Sequence, residues 1–330
     1  MRRRLTVDEY VEGVLAANRT ILAQAITLVE SNAPAHMETA QEVLNRLLPH
    51  TGNSIRVGIT GVPGAGKSTL IDMFGTMLCD QGHKVAVLAV DPSSTVTRGS
   101  ILGDKTRMDA LSRNPRAYIR PSPAGGSLGG VARKSRETML VCEAAGFDVL
   151  LIETVGVGQS EVTVRSMVDF FLLLMVTGTG DELQTMKKGV IELADAIFVN
   201  KADGANKPLA LATKEQLNQM LHYLQPATEG WESRALTCSA LTGEGVGDIW
   251  SVVGEFRETT EKSGMLQKRR QTQAVAWMNS MVQDSLYARF YAHSGVKQAL
   301  PAIKQAVAEG NLSVTLAANQ LMKIFEAGEP

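Results

Sequence analysis

Eight consecutive residues, Gly61-Val62-Pro63-Gly64-Ala65-Gly66-Lys67-Ser68, carry the spacing G-x-x-x-x-G-K-[S/T]. Glycines at those positions let the backbone curl, so that successive N–H groups can point at phosphate oxygens. A helix opening just beyond adds its partial positive charge. Lys67 is suited to neutralise the β- and γ-phosphates, the Ser68 hydroxyl to coordinate Mg2+, and Thr69 to open the helix. A chance glycine-rich turn would not need a β-rich run before it and an apolar helical pattern after it. Both are present, as Arg56–Thr60 and Thr69–Leu78.

A second constellation concerns the base. Asn200-Lys201-Ala202-Asp203 follows the apolar run Ala196–Val199. A carboxylate at Asp203 can accept from both N–H donors on the Watson–Crick edge of guanine; adenine has no such pair and would leave the carboxylate unsatisfied. The Lys201 stem can lie along the base, and Asn200 can tie this loop to the phosphate loop. Cys238-Ser239-Ala240-Leu241, after the next β-rich run, resembles the element that backs the base in GTP-binding proteins. Four residues alone are a weak signal, but the three elements in this order are specific. GTP or GDP is the expected ligand.

The third set would hold metal and water. Glu153-Thr154-Val155-Gly156 follows the run Asp148–Ile152 and occupies the place of a D-x-x-G element, with Glu153 as the candidate Mg2+ carboxylate and the Gly156 N–H facing the γ-phosphate. Asp91, before Pro92-Ser93-Ser94, and Asp104, after Gly103, are further candidate metal or water ligands; each is also explicable as a strand-end cap or a solvated loop residue. Lys67, Glu153, Asp91 and Asp104 form the expected catalytic group. Val157 follows Gly156 where many small GTPases place a water-orienting glutamine, and Gln159 lies two residues on. Slow unassisted turnover is therefore expected, with an arginine or carboxylate ordered by a partner completing the site. Arg98 and Arg107 are candidates. Two segments, Pro121–Gly130 and Gly178–Gln184, have the composition and position of nucleotide-responsive loops, and also of ordinary helix entry turns.

These residues need a frame that brings them to one edge. Short β-rich runs (Arg56–Thr60, Lys84–Val90, Ala117–Arg120, Asp148–Ile152, Phe170–Val176, Ala196–Asn200, Ala235–Cys238) alternate with helical stretches. That alternation predicts an α/β fold, a P-loop NTPase with a mostly parallel central sheet flanked by helices. In such sheets ligands sit beyond the carboxyl ends of the strands, and nearly every motif above falls just after a strand. Residues 1–52 read as an N-terminal helical extension, with one amphipathic helix across Val11–Val29 and a second from Met37 to Leu48. Residues 53–256 read as the nucleotide domain, and 257–330 as a C-terminal helical region with a break near Gly310-Asn311.

Composition constrains the class. The 330 residues are 44% hydrophobic and 20% charged, with a formal net charge of -1, which gives no support to a nucleic-acid partner. Cys79, Cys142 and Cys238 are unpatterned, reading as reduced thiols. Arg2-Arg3-Arg4 precedes no uninterrupted apolar run and Phe170–Val176 is too short to span a bilayer, so neither export nor a membrane is expected, and the expected location is cytoplasmic.

Taken together, Gly61–Thr69, Val90–Ser94, Gly103–Met108, Glu153–Ser160, Gly180–Gln184 and Asn200–Asp203 resemble the MeaB/ArgK family, the G-protein chaperones of methylmalonyl-CoA mutase. The likeness spans essentially the whole chain, and Glu153–Ser160 is its most specific string. It implies a cytoplasmic homodimer formed through the C-terminal helices. It also implies a partner, the adenosylcobalamin-dependent mutase, whose cofactor loading GTP would gate and which the chain would protect, with Asp181–Lys188 as a switch. Two alternatives share parts of the pattern. A metal-insertion GTPase of the nickel-chaperone kind has the Glu-x-x-Gly variant but usually a Cys/His cluster as well. An ATP-dependent kinase linked to basic amino-acid transport would need adenine, against which Asp203 argues.

Overall fold

In the computed structural model the structure describes residues 5–90, 108–121, 128–154, 160–177 and 188–328. The β-rich runs become β1 (Ile55–Gly61), β2 (Val85–Val90), β3 (Ala117–Arg120), β4 (Val149–Thr154), β5 (Phe170–Met175), β6 (Ala196–Val199) and β7 (Arg234–Thr237). They form one parallel sheet in the order β3-β2-β4-β1-β5-β6-β7. Every residue of β2, β4, β5 and β6 is buried, as expected for strands covered on both faces.

Alternation divides the core. Val57, Ile59, Leu151, Phe170 and Leu172 face one layer with helices α4 (Lys67–Asp80), α5 (Asp109–Arg113) and α10 (Val246–Lys262). Ala86, Leu88, Leu150, Ile152 and Phe171 face the other. That second layer holds α1 (Val7–Leu15), α2 (Arg19–Val29), α3 (Pro34–Leu47), α6 (Leu128–Ala144) and α7 (Ser160–Arg165). Beyond the short helix α8 (Lys188–Ile191), Leu173, Ile197 and Val199 pack with Ala210 and Leu217 of α9 (Lys207–Leu221).

The N-terminal segment departs from expectation. Where one helix was predicted across Val11–Val29, the chain breaks between α1 and α2. Ala17 takes φ 54°, and the Asn18 side chain accepts from the N–H groups of Thr20 and Ile21. The cap at Asn18 satisfies donors that a continuous helix would have used differently, and it starts a second axis.

The chain divides into two compact units, Met1–Gln273 and Ala274–Pro330. The first holds the sheet and the N-terminal helices. At its sheet's amino edge, fully buried Asp169 and Asp195 meet Arg165, Arg269 and Arg270, with Arg165 3.0 Å from Asp195 and Arg270 2.6 Å from Asp169. The second unit comprises the rest of α11 (Met265–Ala292), then α12 (Ser294–Ala308) and α13 (Val314–Glu326). Phe290 packs against Phe325 with ring centroids 5.3 Å apart. On α11 the apolar side chains of Val275, Met278, Val282 and Leu286, spaced by three and four residues, are exposed. All three cysteines are free and buried, and burial raises each thiol above its ordinary pKa.

Candidate nucleotide site

The loop after β1 leads directly into α4, whose first turn has no side-chain cap. No cap side chain competes for the N–H groups at its start, and an uncapped helix start after such a loop favours an anion. Two glycines are obligatory here. Gly66 has φ 89°, and a Cβ on it would lie 2.6 Å from Asn200 Nδ2. A Cβ on Gly61 would lie 2.2 Å from the Leu174 carbonyl oxygen of β5.

Lys67 Nζ donates to the carbonyls of Gly61 (2.7 Å) and Val62 (3.3 Å), so the ammonium lies along the loop that it serves. Burial pushes its pKa below the ordinary value, while the carboxylates of Glu153 and Glu161 push it back up. Ser68 Oγ donates to Glu153 Oε1 at 3.0 Å. The register makes this pairing possible: Glu153 lies opposite Ile59 of β1, two residues before Gly61. Glu153 is 5% exposed. A hydroxyl and a carboxylate at hydrogen-bond distance, at the head of the helix that follows the glycine-rich loop, are hard oxygen donors of the type Mg2+ takes. Behind them the hydroxyls of Thr60 and Thr154, 2.9 Å apart, tie β1 to β4.

The base loop lies across from this cradle. Asn200, 1% exposed, donates from Nδ2 to the Ala65 carbonyl at 2.8 Å. Its Oδ1 accepts from the Ala240 N–H at 2.9 Å. One side chain thus joins the phosphate loop, the loop after β6 and the loop after β7. Asp203 accepts from the Ser239 hydroxyl, which also accepts from the Thr242 N–H at 3.1 Å. Ala202 N–H donates to the Cys238 carbonyl at 3.0 Å. The Cys238 side chain is buried behind the loop, whereas Leu241 is 77% exposed on its outer side. An ion pair between Lys207 and Glu244 closes the periphery.

The family model described as methylmalonyl Co-A mutase-associated GTPase MeaB matches residues 22–295. The chain belongs to the MeaB family of GTPases. A probable GTPase of Mycobacterium tuberculosis is 50% identical over 97% of this chain and 95% of its own length. The methylmalonic aciduria type A homolog of Mus musculus, a mitochondrial protein, is 44% identical over 97% of this chain and 80% of its own length. The crystal structure of an LAO/AO transport system kinase superposes with a TM-score of 0.79 at 37% identity, covering 99% of both chains. Membership in the MeaB family makes this chain a guanine-nucleotide-binding, GTP-hydrolysing enzyme on the P-loop fold.

The sheet brings Gly61–Thr69, Glu153, Asn200–Asp203 and Cys238–Leu241 to its carboxyl edge. Asp91, Asp104, Arg98, Arg107, Gly156, Val157 and Gln159 lie outside the described residues, as do Gly178–Gln184 and most of the Pro121–Gly130 segment. Sequence reasoning missed Glu161, which is 5% exposed on the first turn of α7 and whose charge reaches Lys67. It also missed the Thr60–Thr154 pair and Thr242, whose N–H bonds the Ser239 hydroxyl beside Asp203. Glu161 falls one residue past the recognisable string, and a threonine inside an apolar strand carries no motif.

Proposed function

We propose that the chain binds GTP with Mg2+ in this cradle and hydrolyses it slowly on its own. In this reading it serves as the G-protein chaperone of an adenosylcobalamin-dependent methylmalonyl-CoA mutase, gating cofactor loading and protecting the loaded enzyme. The single observation that carries the metal and phosphate half is the Ser68–Glu153 contact beside the uncapped start of α4. Family membership, together with the mutase association named for the family, supports the partner half.

The residue roles follow from chemistry. Lys67 leaves the Gly61 and Val62 carbonyls to neutralise phosphate oxygens. Ser68 and Glu153 would hold Mg2+, with Asp91 and Asp104 as further ligands to the ion or its waters, and the bound ion would supply charge neutralisation to the phosphates. Asp203 pairs with the guanine edge, Lys201 flanks the base, and the Cys238–Leu241 loop backs it. The exposed apolar row Val275, Met278, Val282 and Leu286 supports a homodimer through the C-terminal helices. A cytoplasmic location completes the proposal; among the described residues no helix is long and apolar enough to cross a membrane. The kinase name of the solved relative belongs to that protein. An adenine-using kinase is disfavoured here because Asp203 can only accept, and the adenine edge has no pair of donors.

The test is the steady-state GTP hydrolysis rate with and without the purified mutase from the same cell. A rise of about tenfold or more, equivalent to about 1.4 kcal/mol of barrier, is expected. No rise, together with no co-elution in any nucleotide state, would remove the mutase as client while leaving the GTPase intact.

A further inference from the structure

Asn206 stands three residues beyond Asp203, at the end of a single 3₁₀ turn (Gly204–Asn206) and just before α9. Its side chain is half-buried and has two partners from different parts of the site. Nδ2 donates to the Lys201 carbonyl at 2.7 Å. Oδ1 accepts from the Thr177 hydroxyl in a short hydrogen bond. Because a carbonyl only accepts, the amide nitrogen must face Lys201, and this fixes the oxygen toward Thr177.

Lys201 is where such support is needed. It is one of two non-glycine residues at positive φ among the described residues, with φ 60°. A side chain longer than that of Asn or Asp is strained there, and the conformation persists only where surrounding contacts determine it. The backbone turn at Lys201 also sets the direction in which Asp203, two residues on, leaves the loop. Neighbouring contacts fix the far side: Ala202 N–H bonds the Cys238 carbonyl, and Asn206 N–H bonds the Asp203 carbonyl at 3.0 Å. The near side, at the Lys201 carbonyl, is held by Asn206. Thr177 adds a long-range anchor, lying just past the end of β5 on the carboxyl edge of the sheet.

We propose that Asn206 is a positioning residue for base specificity. It pins the left-handed turn at Lys201 to the end of β5 through Thr177, and so holds the Asp203 carboxylate in register with a guanine edge. The inference rests on the reading of Asp203 as the guanine acceptor.

The experiment measures affinities of the full-length protein for GTP and for ITP, which lacks the 2-amino group, in wild type, Asn206→Ala, Thr177→Val and Asp203→Asn. Wild type should prefer GTP. In Asn206→Ala the GTP affinity should fall by about tenfold, the worth of roughly one hydrogen bond. The GTP preference over ITP should shrink with it, because a loosened carboxylate no longer distinguishes one donor from two. Thr177→Val, nearly isosteric, keeps the Nδ2 contact and should show a smaller change in the same direction; it also reports if the alanine variant fails to fold. An unchanged GTP-to-ITP ratio in both variants would overturn the proposal, whether affinities stay constant or fall in parallel. If Asp203→Asn also leaves that ratio unchanged, the base assignment itself has failed; if Asp203→Asn collapses it while Asn206→Ala does not, only the role of Asn206 is lost.

Discussion

Asn200→Ala removes the side chain on which three loops converge. Two strong neutral hydrogen bonds disappear, from Nδ2 to the Ala65 carbonyl and from the Ala240 N–H to Oδ1, together with a weak one from the Cys238 thiol to Oδ1 at 3.7 Å. Both partners belong to buried residues, Ala65 at 0% and Ala240 at 5% exposure, so the loss is more than two average bonds. Leaving a buried donor or acceptor unsatisfied costs about 1–3 kcal/mol each, which puts the total at about 2–6 kcal/mol. Water entering the vacated space would bring the result toward the lower half. A domain of ordinary stability, about 5–15 kcal/mol, survives such a loss, so the variant should still fold. Because the lost bonds join the phosphate loop to the base loop, part of the cost should appear as weaker nucleotide binding, by about one to two orders of magnitude. Urea unfolding of wild type and variant, with and without saturating GDP, separates the two components; titration with a fluorescent GTP analogue gives the affinity directly. A stability loss below about 1 kcal/mol, with GTP affinity within about threefold of wild type, would refute the idea that Asn200 couples the loops.

Three further outcomes are expected. Lys67→Ala should lower GTP hydrolysis by about 100-fold or more with at most partial loss of nucleotide binding, since the ammonium acts on charge that develops in the transition state; single-turnover assays near the wild-type rate would contradict this. Gly66→Ala should cost about 2 kcal/mol or more, because it combines φ 89° with a Cβ 2.6 Å from Asn200 Nδ2, and nucleotide affinity should fall with it; thermal melts and titrations decide. Glu137 on α6 is pushed by burial to about 7, with Arg133 and Lys134 pulling it down only in part. Its raised value means that the native state holds a proton which the unfolded chain has already released, so stability should decline between about pH 4.5 and pH 7, by up to about 3 kcal/mol. Glu137→Gln should flatten that slope in pH-dependent unfolding; an identical slope in both proteins would count against it.

Much of this molecule was legible because strand, loop and helix are local. Ala117–Arg120 is a strand with the expected bounds, and the phosphate loop stands between β1 and α4 where its spacing required. The helix break at Asn18 was missed because apolar residues on either side keep a helical rhythm, while the decisive event is a polar cap that competes for two backbone donors. Charge-rich Glu258–Arg270 lies within the stretch read as helical, and α10 and α11 run through most of it, supported by pairs such as Arg257–Glu261 and Lys262–Glu258. Asn206 and Thr177 escaped notice for a different reason. They are 29 residues apart and meet only because the sheet places the ends of β5 and β6 side by side.

The three sheltered thiols have a use that has nothing to do with their own chemistry. Cys238 lies directly behind the base loop, Cys79 at the end of α4 and Cys142 within α6, each in a different part of the first unit. None can meet an alkylating reagent until its surroundings part, and Cys238, with its thiol pushed up to about 12, is also a poor nucleophile while enclosed. The rate at which each sulfur becomes modified therefore measures how often that neighbourhood opens. With mass spectrometry to separate the three positions, the native chain carries a built-in set of local clocks. Bound nucleotide should slow the one behind the base before it slows the others.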